Sequence, residues 1–379
     1  MNIMMRRLLP LVLATVVPPT LGAQSVFDSQ LRFAPQFIQY RIKSPANETI
    51  SELAVPVFVS IPFGSSFTFD VGTSYANAKV TTGATTSQIS GLTDTQLRGN
   101  LSLGTDFVVL TAGVNLPTGR SSATLDQLSA AGRIASDFLA FPISSLGTGF
   151  AATGGLAIAR PVGDWNLGFG GAVRHSSTYD PFNVPGQSIR FTPGDEYRAR
   201  VGVDHTLGAG RFSLGLTYSA YGNDDAGGSI YNTGNRLIAQ TAITNTYNDV
   251  DVTLAGYDLF RASGHYASGD QAGKENILNG YLGLGLHTLG TVIEPSIEFR
   301  QWLQFIPGTA AGGVNTADRS QISVLGTLGL RARIDMMGLS IYPSGGYTLG
   351  SVAVLDDQSV QRHADMTGFR GQLAVRFAP

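Results

Sequence analysis

The sequence predicts an all-β protein: a single antiparallel transmembrane β-barrel of about 16 strands, with 14 as the competing count. Three observations predict it. Long segments alternate apolar and polar side chains with period two. The connections between those segments are alternately short and long. Charged residues make up only 14% of the 379, against about 25% in a soluble protein, and within the segments they gather on one parity.

The clearest alternation lies between Gly285 and Leu339. In Thr291–Phe305, Ile293, Pro295, Ile297, Phe299, Leu303 and Phe305 share a face, while Glu294, Ser296, Glu298, Arg300, Trp302 and Gln304 share the other. In Gln321–Asp335, Ile322, Val324, Leu328, Leu330 and Ile334 oppose Ser323, Thr327, Arg331 and Arg333. Strands of a soluble sheet are usually about 5 or 6 residues long. These run past ten, enough to cross a bilayer at a tilt. The apolar parity then meets lipid and the charged parity the inside.

Taken in order, residues 1–23 read as a secretory signal peptide, with Arg6 and Arg7, an apolar core at Leu8–Val17 and a small residue at Ala23. Residues 24–379 form the barrel domain. The expected strands are 31–43, 49–61, 65–79, 91–104, 106–116, 147–161, 165–179 and 194–207, then 211–222, 234–246, 250–266, 274–288, 291–306, 319–334, 339–354 and 366–378. Pro35 and Pro56 weaken the first two, because proline cannot donate to a ladder. Tight turns such as Val162–Gly163–Asp164 and Gly208–Ala209–Gly210 carry the Gly, Asn or Asp needed for positive φ. The longer connections fall at 80–90, 117–146, 180–193, 223–233, 267–273, 307–318 and 355–364. Aromatic residues collect at both strand ends, as membrane interfaces favour: Phe67, Phe107, Trp165, Phe212, Tyr247 and Phe377 at the tight-turn rim, and Tyr75, Tyr179, Tyr197, Tyr221, Tyr266, Tyr281, Phe305 and Phe369 at the loop rim.

The longest connection, the extracellular loop 117–146, carries apolar residues near helical spacing: Leu125, Leu128, Ala131, Ile134, Phe138 and Leu139. It predicts one or two short amphipathic helices capped by Ser121 or Ser122, with Gly132 a weak point. Such a stripe above a polar channel needs a surface to bury against. Leu125, Leu128, Ile134, Phe138 and Phe141 are therefore the candidate constriction, folded into the mouth, unless the loop merely caps the rim.

Lipid excludes unpaired charge, so the charged parity must turn inward. Asp94, Arg98, Arg174, Arg198, Arg200, Arg211, Glu294, Glu298, Arg300, Arg331 and Arg333 are the candidate pore-lining residues. Their mixed sign argues against strong ion selectivity. Other chemistry has little support. Cysteine is absent, and the five histidines are dispersed without metal-ligand spacing. His175 and Ser177 share the lipid-facing parity; Asp224, Asp225, Asp356 and Asp357 read as solvated loop acids. A net charge of −2 shows no nucleic-acid footprint. No catalytic residue, cofactor or metal is expected.

Ser90–Thr95, with Gly91-Leu92-Thr93-Asp94, and Gly113–Gly119, ending Leu116-Pro117-Thr118-Gly119, resemble the "G-L-G-D" and "L-P-T-G" motifs of the meta-pathway phenol-degradation family of outer-membrane proteins. The resemblance covers about Phe67 to Val173. It implies passage of small, often hydrophobic or aromatic compounds across the outer membrane. The fatty-acid transporters, a related idea, carry an N-terminal plug; only about Gln24–Gln30 precedes the first strand here. Phe377 stands where the C-terminal assembly signal of such barrels has its aromatic residue, followed by Ala378 and Pro379. The expected partners are membrane lipids, the barrel-assembly machinery and small solutes. The alternatives are a closed barrel whose loops bind at the surface, a barrel-embedded lipid hydrolase and a soluble two-domain β protein.

Overall fold

The computed structural model describes residues 31–43, 47–64, 66–104, 107–183, 189–266, 268, 271–288, 290–308, 318–336, 339–355 and 361–377. The proposed signal peptide at 1–23 and the terminal Ala378 and Pro379 lie outside them. Sixteen antiparallel strands form the wall. They are β1 (Leu31–Phe33 and Gln36–Lys43), β2 (Glu48–Phe63), β3 (Phe67–Thr82), β4 (Thr85–Leu92 and Thr95–Leu103), β5 (Val108–Leu116), β6 (Ala151–Val162), β7 (Trp165–Ser176) and β8 (Glu196–Leu207). Then come β9 (Gly210–Tyr221), β10 (Arg236–Tyr247), β11 (Val250–Arg261), β12 (Lys274–Thr288), β13 (Thr291–Ile306), β14 (Arg319–Met336), β15 (Leu339–Leu355) and β16 (Gln361–Phe377). Each strand pairs with the next in the chain. The last returns to the first, Gln36 opposing Gln372 and Lys43 opposing Asp365, so the sheet closes. Closure leaves no open edge, as a spanning sheet requires.

The sorting of faces follows the alternation. On β13, Ile293, Ile297, Phe299 and Leu303 are exposed on the outside, while Glu298 and Arg300 are buried inside. Leu328, Leu330, Leu349, Phe369 and Leu373 continue the outer apolar surface on neighbouring strands. So much contiguous apolar surface is tolerable only against hydrocarbon. Around the tight-turn rim runs a girdle in which Trp165 stacks on His205 at 4.2 Å and meets the edge of Phe212 at 6.4 Å.

Four expectations need correction. The connection expected at 80–90 is strand: β3 and β4 run to a two-residue turn at Gly83 and Ala84, Gly83 holding φ 57°. Thr81, Thr86, Gln88 and Ser90 there are the outer face of a hairpin whose inner face is Ala76, Ala78, Val80, Ser87 and Ile89, all buried. Next, the longest loop extends to Phe150, since β6 begins at Ala151. Its helical part is a 3₁₀ turn, Leu125–Gln127, running into α1, Leu128–Ile134. The cap is Thr124, not Ser121 or Ser122: the Thr124 N–H donates to Gln127 Oε1 at 3.1 Å, the reciprocal half of a capping box. Finally, Tyr221 and Tyr281 leave the expected outer belt and point inward, Tyr221 opposing Glu196 in register and Tyr281 donating to Glu294, while Tyr179 lies in a loop against Phe191.

Two details position the site. Pro35 breaks β1 without shifting its register, because Leu31 opposes Val59 and Gln36 opposes Ala54 on either side of the break. Free ladder groups are retaken there: the Ala34 N–H donates to Pro56 O and the Leu373 N–H to Pro35 O. In β4, by contrast, Tyr75 pairs with Leu92 but Gly72 pairs with Gln96, so β4 holds one extra residue. This β-bulge falls at Thr93 and Asp94, and such an insertion re-aims a side chain.

Candidate functional site: a loop docked across the lumen

The bulge turns the Asp94 carboxylate onto the roots of the long loop. Its Oδ1 accepts from the Gly119 N–H at 3.0 Å and its Oδ2 from the Thr148 N–H at 2.7 Å. The Asp94 N–H donates to Leu146 O at 3.1 Å. One residue therefore clamps both ends of the excursion. Gly119 is glycine because a Cβ there would lie 2.3 Å from Leu146 O and 2.4 Å from Asp94 N. Arg120 extends the clamp, donating to Ser90 O, Ser122 O and Gln127 Oε1.

From that root the chain crosses the barrel interior. On one side, the Ala130 N–H donates to Ser87 Oγ, Arg133 forms a two-pronged pair with Glu48 at 2.8 Å, the Ile143 N–H donates to Glu52 Oε1, and Tyr40 Oη donates to Leu139 O at 3.1 Å. These anchors stand on β1, β2 and β4. On the other side, Arg236 and Arg261 both reach Asp137 Oδ2, at 2.6 and 2.8 Å, and Arg300 Nη1 donates to Phe138 O at 2.7 Å. Those stand on β10, β11 and β13. Strands β2 and β10 are half the sixteen-strand circumference apart, so the loop spans the lumen.

Apolar contact reinforces the crossing. Ile134, Phe138, Leu139, Phe141 and Leu146 are buried against inward-facing Ile38, Tyr40, Ile50, Ala78, Val80, Tyr257, Leu259, Ile277, Leu325 and Met366. Phe138 stacks on Trp302 at 5.1 Å and Phe141 meets Tyr40 edge-on at 5.5 Å. Burying Phe138 alone is worth about 1.5–3 kcal/mol. Of the five residues expected at the constriction, Ile134, Phe138 and Phe141 sit in this cluster, Leu128 packs at its margin, and Leu125 is 67% exposed and stays out. Leu125 begins the 3₁₀ turn, whose three-residue period departs from the helical spacing that placed it with the others.

Asp94, expected among the lining residues, is buried at the roots of the loop instead, because the bulge re-aims it; the others divide into two groups. Arg300 lies under the loop with Glu298 (2.6 Å), which also accepts from Arg370 (2.8 Å) and Asn279 (2.7 Å). Elsewhere the charges pair along the wall: Arg98 with Asp70 at 3.3 Å, Arg198 with Glu196 at 2.6 Å, Arg211 with Asp204 at 3.0 Å, Arg331 with Glu294 at 2.5 Å and Arg333 with Asp335 at 2.8 Å. Arg174 and Arg200 share the inner face of β7 and β8 with them, Arg174 opposing Glu196 in register. Among the described residues, no hydrogen bond or buried apolar contact of Leu128–Ile143 falls on β6, β7, β8 or β9. At the tight-turn mouth a cavity of about 590 Å³ opens between His287, Thr291, Val292, Arg333 and Asp335.

Sequence reasoning missed Glu48, Asp137, Arg236, Arg261 and Glu275. Each lies at a strand end or in the loop, where period-two sorting stops. The signal available was pairing across one connection: Arg261 ends β11 and Glu275 is the second residue of β12, so the two oppose each other in register and meet at 3.1 Å.

Other chemistry is organised differently. His175 Nδ1 lies 2.7 Å from Asp195, but the Ser177 hydroxyl donates to Phe150 O. Asp224 accepts from the Gly194 N–H and Asp225 from the Gly228 N–H, so both carboxylates hold turns of a small outer sheet (Phe191–Thr192, Asp224–Ala226, Ser229–Tyr231). Burial raises the Asp224 carboxyl above its ordinary range, although the Gly194 N–H pulls it down. Asp356 and Asp357 lie outside the described residues.

No family model matches the chain, and no curated protein matches its sequence. Among solved structures it is similar to a bacterial polysaccharide outer membrane secretin (9% identity, 93% of this chain and 99% of that one, TM-score 0.43). It is also similar to an anion-selective porin from Comamonas acidovorans (12%, 92% and 98%, TM-score 0.40). A third is a loop-deleted OmpT, an outer membrane protein of Vibrio cholerae (10%, 91% and 98%, TM-score 0.40). Likenesses this distant identify neither family nor substrate.

Proposed function

We propose that the protein is an outer-membrane channel for passive passage of small molecules, narrowed by the docked loop. One observation carries the reading. The loop is seated across the lumen by buried polar and apolar contacts, while the inner faces of β6–β9, with Arg174, Arg198, Arg200 and Arg211, are left beside it. Solutes descend that strip between arginines and carboxylates and leave past the tight-turn cavity; the mechanism is diffusion down a gradient. The finer assignment, small hydrophobic or aromatic compounds, draws support from the phenol-degradation motifs. Those motifs meet in space: Asp94 of Gly91–Asp94 accepts from Gly119 of Leu116–Gly119.

Tight docking of the loop favours a second reading, a closed barrel acting through its outer surface. Single-channel recordings in planar bilayers separate the two. Measurable conductance that rises when 121–145 is replaced by a short Gly/Ser linker supports the channel. A folded barrel with no conductance, and no liposome swelling with sugars, ions or aromatic acids, would overturn it.

A further inference from the structure

The chain has three lysines, Lys43, Lys79 and Lys274, and all three stand on the outer face at the loop end of their strands. The lumen, by contrast, uses arginine, whose planar fork suits the carboxylate pairs described above. Lysine is a compact, strongly hydrated cation on a flexible stem, suited to reaching from a wall into a headgroup layer. Lys274 lies over the Phe305 ring at 5.1 Å. Lys43 and Lys79 are different: together with outward-facing Arg41 they are exposed, and among the described residues no ion pair or hydrogen bond reaches them.

Their position relative to the hydrocarbon band is defined by register. The outer apolar surface of this sector ends at Phe37, Leu53, Tyr75, Leu92 and Phe369. Immediately above come Gln39, Ser51, Asn77 and Gln88, with Gln88 donating to Asn77 at 2.9 Å. Lys79 opposes Ser51, which opposes Gln39; Arg41 lies one two-residue step higher on β1, opposing Thr49. Two strand spacings and one such step put the backbones of Arg41 and Lys79 roughly 12 Å apart. Lys43 is a further step up, with Asp365 the acidic side chain opposite it. The tall β3–β4 hairpin carries this surface well above the last apolar rank.

We propose that the outer face of β1–β4 is a binding surface for a phosphorylated glycolipid of the outer leaflet. Arg41, Lys43 and Lys79 contact its phosphates, and Asn77 and Gln88 face its sugar hydroxyls. Its acyl chains lie along Phe37, Leu53, Tyr75 and Leu92. The patch is continuous with a lipid-facing surface, begins where hydrocarbon ends, and carries three cations that form no ion pair among the described residues, against the one acid Asp365, a charge that a phosphate-rich headgroup complements. The proposal rests on the outer-membrane reading for its leaflet, and not on whether the pore conducts.

The test uses the full chain purified in detergent and stripped of lipid, titrated with diphosphoryl lipid A and with its dephosphorylated form, and read by native mass spectrometry. Wild type should hold the diphosphoryl form in preference. The variant combining R41Q, K43Q and K79Q should weaken that binding on the order of a hundredfold, and K79Q alone roughly fivefold. K274Q should leave binding at the wild-type level. Heat-dependent gel mobility verifies folding of each variant, and K79Q serves if the combined variant does not fold. Equal binding of the two lipid forms, or a folded combined variant with wild-type affinity, overturns the site. A wild-type barrel that conducts nothing yet discriminates the phosphates upholds the lipid surface while sinking the channel.

Discussion

The two ends of the barrel interior are built from strands of one sheet and yet are different materials. Toward the loop rim, where the loop is seated against it, the inner face is dry. Ile50, Ile134, Phe138 and Ile277 are at most 2% exposed, and Glu298 and Arg300 are paired in their midst. Toward the tight turns the inner face is wet: Arg333 and Asp335 form their pair with both side chains about half exposed, at 51% and 49%, beside the open cavity. An inward position is therefore not in itself a polar environment. What occupies the lumen at that height decides it, and here the occupant is a segment of the same chain.

The contrast gives a ranked set of substitutions. The largest effect is expected at Arg300. Replacing it by Ala removes a charge from the dry end, leaves Glu298 with Arg370 and Asn279, and frees Phe138 O. A loss of about 3–5 kcal/mol follows for a broken buried pair, read as a lower urea midpoint for unfolding from lipid vesicles, with higher conductance. Phe138→Ala empties the stacked site against Trp302 and should cost about 3–5 kcal/mol if the wall does not collapse. A wild-type midpoint for this variant would mean that the loop is not seated as described. Asp94→Ala comes next, because the Gly119 and Thr148 N–H groups lose their acceptor. About 1–3 kcal/mol is expected, with cleavage by added protease appearing inside 117–150 before the wall unfolds. Arg333→Ala should be the mildest, within about 1 kcal/mol, since an exposed pair is worth little. A large effect there would abolish the distinction between the two ends.

The same contrast explains what could be read from the sequence. Strands such as β13 and β14 were legible because their outer face is greasy and their inner face charged. On β1 and β3 the contrast reverses above the midpoint: buried Ile38, Tyr40 and Ile42 alternate with outward Gln39, Arg41 and Lys43, and Ala76, Ala78 and Val80 with Asn77, Lys79 and Thr81. A charged parity therefore does not mark the inside there, although the strands are intact, and the polar outer residues make the hairpin at Gly83 read as a loop. The apolar stripe of the loop gave the need for a partner surface and not its location. That surface is assembled from strands on opposite sides of the barrel, and no local pattern encodes such a meeting. The Asp94 clamp shows the same limit. Both halves of it were visible as short motifs, but their contact depends on a one-residue bulge.

The crossing of the lumen has a consequence for biogenesis. Phe138 is held by Arg300, 162 positions later in the chain, and Asp137 by Arg261, 124 later. Its opposite anchors on β1 and β2 come from the first strands made. The bridge can be complete only after β10, β11 and β13 stand opposite β1 and β2, so seating of the loop follows assembly of most of the wall. Refolding followed by tryptophan emission from Trp302 should then show a late phase, absent in Phe138→Ala, after gel mobility has already reached its final value.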